Sequence, residues 1–536
     1  MKNYSNNRWI YLYAFIIKQI EKNNTDFFKK NYSNTSFDLE KVNNNLQVKK
    51  TSLRILDEAR NGNQNIFNDL SFLDIIQEQQ CELNNQDSVQ VIMDESKFEQ
   101  VLDFDFLRGM CNDKYKVISS LNRGLKTIDK INPLWKNKMI SHLSSVVGVE
   151  SDFNEIVSGF THDFPGFINF NINADDFVIG EQLSHEVTHL MLDNRLFFDN
   201  SYNKFIKSLP PIFSIFVNKP RTAELVIHGL YSYSSVYLFW KEVSNKYPKK
   251  KKIAKERMND VKIYIEEAVS DLNNILSKSD WVRLFNYYKQ ICPLADMAIW
   301  DKKTIDKEYP NILIKKLNNY LNDLETAEIV LAILGNKVSR ISMTLEQLDS
   351  FYHLLRILPV NYCFSNYLFE SQTDKNISEF KNVITRIHNL DTFYKPSLEI
   401  HIYFSKYKSN LRKAFLLDQS DDCAPLFKTP GCCEIFFKEN WNDAVEKYQG
   451  DLTRIYYENE KNIETNPIYN PVSMYFGKGL CWHFPCSLSC KKTKQMIDKR
   501  ISLLKKHEPD LLNRLLEIKD YNIIYKNQKY DMVSIK

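Results

Sequence analysis

His185, Glu186 and His189 form an H-E-x-x-H motif inside the run VIGEQLSHEVTHLML. Apolar residues recur around the motif at helical spacing, so the sequence predicts a helix here. Histidines four residues apart on a helix share one face, where both imidazoles can bind a single transition metal. The glutamate would lie beside that metal, where it can orient or deprotonate a bound water. The motif therefore predicts a metal-binding helix, and two helix histidines without a metal are the alternative.

A second helix, predicted over residues 221–243, offers the third ligand. His228 is our predicted ligand, and Glu224, one turn earlier on the same face, is the alternative. Arg221 extends this polar stripe on an otherwise apolar helix. Burying such a stripe without partners is costly, and a metal together with an anionic ligand for Arg221 would satisfy it. An Arg221–Glu224 ion pair beside a structural histidine is the alternative.

Together the two segments read L-x-H-E-x-x-H and R-x-x-E-x-x-x-H-G. This pairing resembles the HExxH-type, 2-oxoglutarate-dependent peptide β-hydroxylases, also described as HEXXH-motif peptide-modification enzymes. The resemblance covers roughly residues 140–245 and extends more weakly over the helices to about residue 400. The chain departs from the family pattern at Thr222, where a proline often follows the arginine. The matching residues are His185, Glu186, His189, Arg221, Glu224, His228 and Gly229.

The resemblance implies an Fe(II) site that uses 2-oxoglutarate and dioxygen to hydroxylate the β-carbon of a residue in a ribosomally made peptide. Its implied metal ligands are His185, His189 and His228. Arg221 would bind the distal carboxylate of 2-oxoglutarate, because a guanidinium fork fits a carboxylate bidentately. Glu186 would hold a ligand or water in place, and Glu224 remains the alternative third ligand.

A zinc metallopeptidase is the competing interpretation. In that case Glu186 is the general base, and the strand predicted over Phe167–Ile172 is an edge strand that aligns the substrate. A scaffold whose metal sites are purely structural is a third possibility, and a closed four-ligand site would support it.

Six of the ten cysteines lie after residue 420. Cys432, Cys433, Cys486 and Cys490 are the candidate ligands of a second metal, zinc or an iron–sulfur cluster. Cys481, His483 and Cys423 are further candidates, and buried free thiols are the alternative. No C-x-x-C pair of a standard zinc ribbon is present in this region.

The composition and net charge of the chain limit the kinds of partner that we expect. The 536 residues carry a net charge of +4 with no dominant basic stripe, so we expect no nucleic-acid partner. The apolar stretch Trp9–Ile17 is too short to span a bilayer, so we expect no membrane association. Without a signal peptide, the cysteine pattern favours a cytoplasmic protein. The sequence leaves the oligomeric state open.

The predicted fold class is mainly α with a small β element (α+β). A metal-binding helix pair would lie beside a short sheet, whose strands we predict over 144–149 and 164–172. Further helices are predicted over 253–280, 304–335 and 344–357. We expect a helical N-terminal region over 1–135, an HExxH catalytic domain over 136–400 and a Cys-rich C-terminal domain over 401–536.

Overall fold

A computed structural model describes much of the chain from residue 80 onward. The described ranges are 80–83, 87–91, 109–143, 145–152, 157–160, 167–300, 310–371, 384–390, 395–418, 427–448, 450–459, 466–526 and 529–534. Most of the predicted helical region over 1–135, including Trp9–Ile17, lies outside them, as does Cys423.

Helices dominate the described residues, which confirms the predicted α+β class. The helices are α1 Lys114–Ile131, α2 Pro133–His142, α3 Asp176–Phe198, α4 Asn200–Lys207, α5 Ala223–Lys246, α6 Lys251–Leu272, α7 Lys278–Ile291, α8 Pro310–Leu317, α9 Asp323–Ile333, α10 Leu345–Ile357, α11 Lys408–Asp418, α12 Gly431–Tyr448, α13 Thr453–Asn459, α14 Lys491–His507 and α15 Pro509–Leu516. Short 3₁₀ turns lie at Pro248–Lys250, Met297–Trp300, Pro471–Phe476 and Glu517–Asp520.

The strands are short and belong to several sheets. They are β1 Gln80–Leu83, β2 Asp87–Val91, β3 Ser145–Val149, β4 Ser158–Phe160, β5 Phe167–Asn171, β6 Ile212–Ser214, β7 Lys219–Arg221, β8 Ser339–Thr344, β9 Asn361–Phe364, β10 Tyr367–Ser371, β11 Ile384–Asn389, β12 Glu399–Ser405, β13 Tyr521–Lys526 and β14 Lys529–Ser534.

Two compact units divide the chain. The first comprises the described residues up to Asn203 together with His228–Ile265 and Arg283–Ile299. The second comprises Lys204–Ile227, Glu266–Val282 and the described residues from Trp300 on. Residues of the predicted catalytic domain over 136–400 therefore contribute to both units.

The first unit contains a five-stranded sheet of order β1-β2-β3-β5-β4. Strands β2, β3 and β5 run parallel, whereas β4 pairs antiparallel with β5 at the edge. The predicted strand over 144–149 is confirmed as β3. The prediction that Phe167–Ile172 is an edge strand is wrong, because β5 lies between β3 and β4. The edge position belongs to Ser158–Phe160, whose three residues gave no alternating pattern in the sequence.

The second unit contains an antiparallel sheet of order β11-β10-β12-β8, with β9 also paired to β12. The sequence did not predict this sheet. Its strand β12 is buried along its whole length, although its residues alternate between polar and apolar. The apolar side chains of this sheet pack with those of α10, among them Phe351, Leu355 and Ile402.

Helices of the second unit form another apolar cluster. Leu324 and Leu331 of α9 pack with Ile497 and Leu504 of α14 and with Leu511 of α15. Of the predicted helices, 344–357 is confirmed as α10 and 253–280 is divided by a turn, as is the described part of 304–335, from residue 310 on. Among the helices that the structure describes, none has both the length and the apolar character needed to cross a bilayer.

Candidate metal centres

Helix α3 carries the H-E-x-x-H motif and is fixed by close packing at two glycines. A Cβ added at Gly124 of α1 would lie 2.5 Å from Ile179 Cγ2, and one at Gly180 would lie 2.7 Å from Phe239 Cζ of α5. Helices α1 and α5 therefore approach α3 too closely for a larger side chain. At the start of α3, Asp176 accepts a hydrogen bond from Arg123 Nη1 at 2.7 Å, which adds a link to α1.

His185 and His189 bring one ring nitrogen each close together. Their Nε2 atoms are 3.3 Å apart, and the Glu186 Oε1 atom lies 4.0 Å from His185 Nε2. Two nitrogens bound to one ion at about 2.0–2.1 Å lie about 3.3 Å apart at the tetrahedral angle. Ligand atoms of these three residues all fall within 4.8 Å of one another. The motif therefore forms a group that could hold a metal ion.

Glu186 and His185 are neighbours in a desolvated environment, and burial acts on them in opposite directions. Burial raises the pKa of Glu186 to about 7, against the hydrogen bond that Ser158 Oγ donates to its Oε1 at 2.7 Å. Burial lowers the pKa of His185 to about 4, so its imidazole is neutral and keeps a lone pair for a metal. Ser158 lies in edge strand β4, and the sequence did not predict it as a site residue.

His228 lies in α5 and contacts the opposite ring nitrogen of His189. The two Nδ1 atoms are 3.3 Å apart, and His228 Nε2 lies 3.4 Å from Asp193 Oδ1. Phe160 of β4 stacks on the His189 ring at 4.5 Å between centroids. Contacts at the ring nitrogen that faces away from an ion commonly orient metal-binding imidazoles. Asp193 was not predicted from the sequence, although it follows His189 by one helical turn and shares its face.

Arg221 and Glu224 belong to the second unit. The prediction that Arg221 lies on the same helix as Glu224 is wrong, because Arg221 ends strand β7, where it pairs with Ile212. Pro220 disfavours helix in the residue before it, and α5 begins only at Ala223. The Arg221 Nε atom is buried without a hydrogen-bond partner among the described residues. Glu224 is half-buried in the first turn of α5.

The four predicted cysteines do come together. Cys432 and Cys433 lie in the first turn of α12, Cys490 is the N-cap of α14, and Cys486 lies in the preceding loop. Their sulfur atoms lie within 4.8 Å of one another and could hold a metal ion. Burial raises the pKa of Cys490, but hydrogen bonds from Thr493 and the neighbouring thiols lower it overall, to about 6.

Cys481 and His483 lie beside this cluster and outside its ligand group. The His483 Nε2 atom is 3.0 Å from Thr493 Oγ1, and its Nδ1 atom is 3.9 Å from Cys481 Sγ. Cys481 is buried among the apolar side chains packed around α9 and α14. Of the further candidates, His483 therefore contacts the cluster through a threonine hydroxyl.

The comparison with models of known protein families finds no match, and the comparison with curated proteins finds none either.

Proposed function

We propose that this chain is an Fe(II)- and 2-oxoglutarate-dependent oxygenase that hydroxylates the β-carbon of a residue in a ribosomally made peptide. The observation that carries the proposal is the pair of Nε2 atoms of His185 and His189, 3.3 Å apart beside the Glu186 carboxyl. An Fe(II) site that binds a cosubstrate and dioxygen needs open positions, so two imidazoles with one further protein ligand would suit it. The likeness of the two helix motifs to the peptide β-hydroxylases adds the cosubstrate and the substrate class.

The chain's own residues would divide the work between binding and orientation. His185 and His189 bind the ion, and His228 is the proposed third ligand, with Glu224 as the alternative. His228 contacts His189 Nδ1, on the other side of the ring from the paired Nε2 atoms, so coordination by His228 would require its side chain to move. Bound iron supplies dioxygen activation, with 2-oxoglutarate as the co-reactant that is oxidised to succinate and carbon dioxide.

Arg221 is the proposed partner of the distal carboxylate of 2-oxoglutarate. Its buried Nε atom has no hydrogen-bond partner among the described residues, and a planar guanidinium binds a carboxylate through two parallel hydrogen bonds. Glu186, held by Ser158 Oγ at 2.7 Å, would orient a water or a ligand beside the ion. In this proposal Glu186 supports the metal and does not attack through water.

A zinc metallopeptidase is the second candidate, and two observations favour it. The pKa of Glu186, raised by burial to about 7, suits a general base at neutral pH. Strand β4 is the last strand in the described part of its sheet, and its Ser158 Oγ donates a hydrogen bond to Glu186. An edge strand beside the metal could align an extended peptide by adding a strand to the sheet.

Turnover of 2-oxoglutarate separates the two candidates. Protein purified without air and loaded with Fe(II) is given 2-oxoglutarate and oxygen, and succinate is measured. The oxygenase predicts iron-dependent succinate that is lost in His189→Ala and that needs more 2-oxoglutarate in Arg221→Leu. Lys219→Leu, two residues away on the same strand, is the matched control. Zinc-dependent peptide hydrolysis that Glu186→Gln abolishes, with no succinate formed, would contradict the oxygenase.

The remaining assignments are independent of that reaction. The cysteines whose side chains the structure describes form no disulfide, which supports the proposed cytoplasmic location. Four thiolates around one ion leave no open position, so we propose a structural metal at the cysteine cluster and no part for it in the reaction.

A further inference from the structure

The cysteine cluster has the dimensions of a site for one ion. The Sγ–Sγ distances are 3.9 Å for Cys432–Cys433, 3.9 Å for Cys432–Cys490 and 3.7 Å for Cys433–Cys490. A tetrahedron with metal–sulfur bonds of about 2.3 Å has edges of about 3.8 Å. A disulfide requires sulfur atoms about 2.05 Å apart. Clusters with several irons place their thiolates on different metal atoms, which separates the sulfurs further.

Two helix N-termini meet at the cluster. Cys432 and Cys433 lie in the first turn of α12, and Cys490 lies directly before α14. Four thiolates around a divalent ion carry a net charge of −2. The N-terminus of a helix carries a partial positive charge of about half an elementary charge, so both helices favour this negative centre.

Hydrogen bonds to the Cys433 sulfur also fit a thiolate. The Cys486 backbone N–H donates to Cys433 Sγ at 3.3 Å, and Thr493 Oγ1 lies 3.4 Å from the same atom. A thiolate can only accept, so Thr493 would donate its hydroxyl proton and could accept from His483 Nε2, 3.0 Å away. Outer contacts of this kind orient metal ligands and tune the metal. They give Thr493 and His483 a positioning role.

Helix α12 has few fully buried side chains, although Phe436 stacks on Tyr456 and Phe437 on Phe484. Of its 18 residues, only Cys433 and Ala444 are fully buried. By contrast, α14 contributes Ile497 and Leu504 to the apolar cluster of the second unit. Helical stability in proteins comes mostly from packing of an apolar face, so a helix with so few fully buried side chains would gain from another restraint.

We propose that Cys432, Cys433, Cys486 and Cys490 bind a single zinc ion in a closed tetrahedral site that fastens the N-terminus of α12 to that of α14. Zinc suits four thiolates in a tetrahedron and has no geometric preference of its own to oppose it. With all four positions taken by sulfur, the ion stabilises the fold and has no place for substrate.

Metal analysis of the full chain tests the proposal. The protein is purified under reducing conditions, dialysed against a mild chelator, and assayed for zinc, iron and acid-labile sulfide. We expect one zinc per chain that is lost in Cys433→Ser and Cys490→Ser and kept in His189→Ala. Cys363→Ala, which removes a buried thiol of β9, is the matched control and should also keep it. Iron with sulfide, or equal zinc in all variants, would overturn the proposal.

Two measurements on the unaltered chain guard against variants that do not fold. Cobalt exchanged into the site should give the intense thiolate-to-metal absorption of a four-sulfur site, and its absence would refute the ligand set. Removing the zinc should accelerate amide hydrogen exchange in Gly431–Tyr448 more than in Lys491–His507. Equal acceleration in both helices would refute the fastening role.

Discussion

Gly124 of α1 gives a direct test of how the metal helix is held. A Cβ at this position would lie 2.5 Å from Ile179 Cγ2 and 3.0 Å from Leu183 Cδ1, both on α3. Leu183 precedes His185 by two residues, so any shift of α3 away from α1 would move the histidine pair. Gly124→Ala therefore perturbs packing and metal geometry at once.

The expected magnitude follows from two opposing effects. Overpacking a filled interior costs about 1–3 kcal/mol, while replacing glycine by alanine within a helix contributes about 1 kcal/mol of stability. The net effect of Gly124→Ala is a destabilisation of about 1 kcal/mol. Gly124→Val places two more methyl groups in the same space and has a poorer helix propensity, so we expect a loss of about 3 kcal/mol.

Thermal unfolding of the metal-free protein measures these effects. The unfolding temperature should fall in Gly124→Ala and fall further in Gly124→Val, and iron affinity should decrease in the same order. Gly431→Ala is the control, because a Cβ at this helical glycine meets nothing within 4 Å. A Gly124→Val protein with the unfolding temperature and iron affinity of the wild type would refute the close approach of α1 and α3.

Three further predictions concern a buried carboxyl group, a buried ion pair and the ligands of the metal. Asp271 is buried and accepts hydrogen bonds from Tyr352 and Tyr362, and burial raises its pKa to about 7. Between about pH 4 and 7 the folded state therefore keeps a proton that the unfolded chain releases. The free energy of unfolding should fall by on the order of 4 kcal/mol across that range and then level off. Thermal scans across that range should show a flatter profile in Asp271→Asn, and parallel profiles would count against the burial. Arg257→Met leaves the buried Glu181 carboxylate without its partner and should cost about 3–5 kcal/mol, of which Glu181→Gln in the same chain restores part; additive losses in a double-mutant cycle would exclude the coupling. His228→Ala should lower iron affinity by about 10–100-fold or more in a competitive chelator titration, and Asp193→Asn by less; unchanged affinity in His228→Ala would remove that residue from the site.

Local spacing predicted the parts of the site that depend on one helix. His185, Glu186 and His189 come together because residues four apart on a helix share a face. The same rule extends to Asp193, one turn after His189, so this neighbour was within reach of the sequence. The four cysteines were found by residue type and proximity in two short segments.

Long-range pairing produced what the sequence did not reveal. Ser158 and Phe160 reach the site only because β4 pairs with β5 at the edge of the sheet, and three residues are too few to show a period. Arg221 was assigned to a helix because its apolar neighbours resemble one, whereas pairing with Ile212 holds it in a strand. Strand β12 lies inside its sheet, and its residues alternate between polar and apolar, so this strand was within reach of the sequence and was missed.

The central claim is that the H-E-x-x-H site binds iron together with 2-oxoglutarate. Iron-loaded protein is titrated with 2-oxoglutarate in the absence of oxygen, and the visible charge-transfer absorption of the chelate is recorded. We expect a saturable absorption in the wild type, a weaker affinity in Arg221→Leu and no signal in His189→Ala. Tightly held zinc at this site with no absorption at any 2-oxoglutarate concentration would contradict the claim.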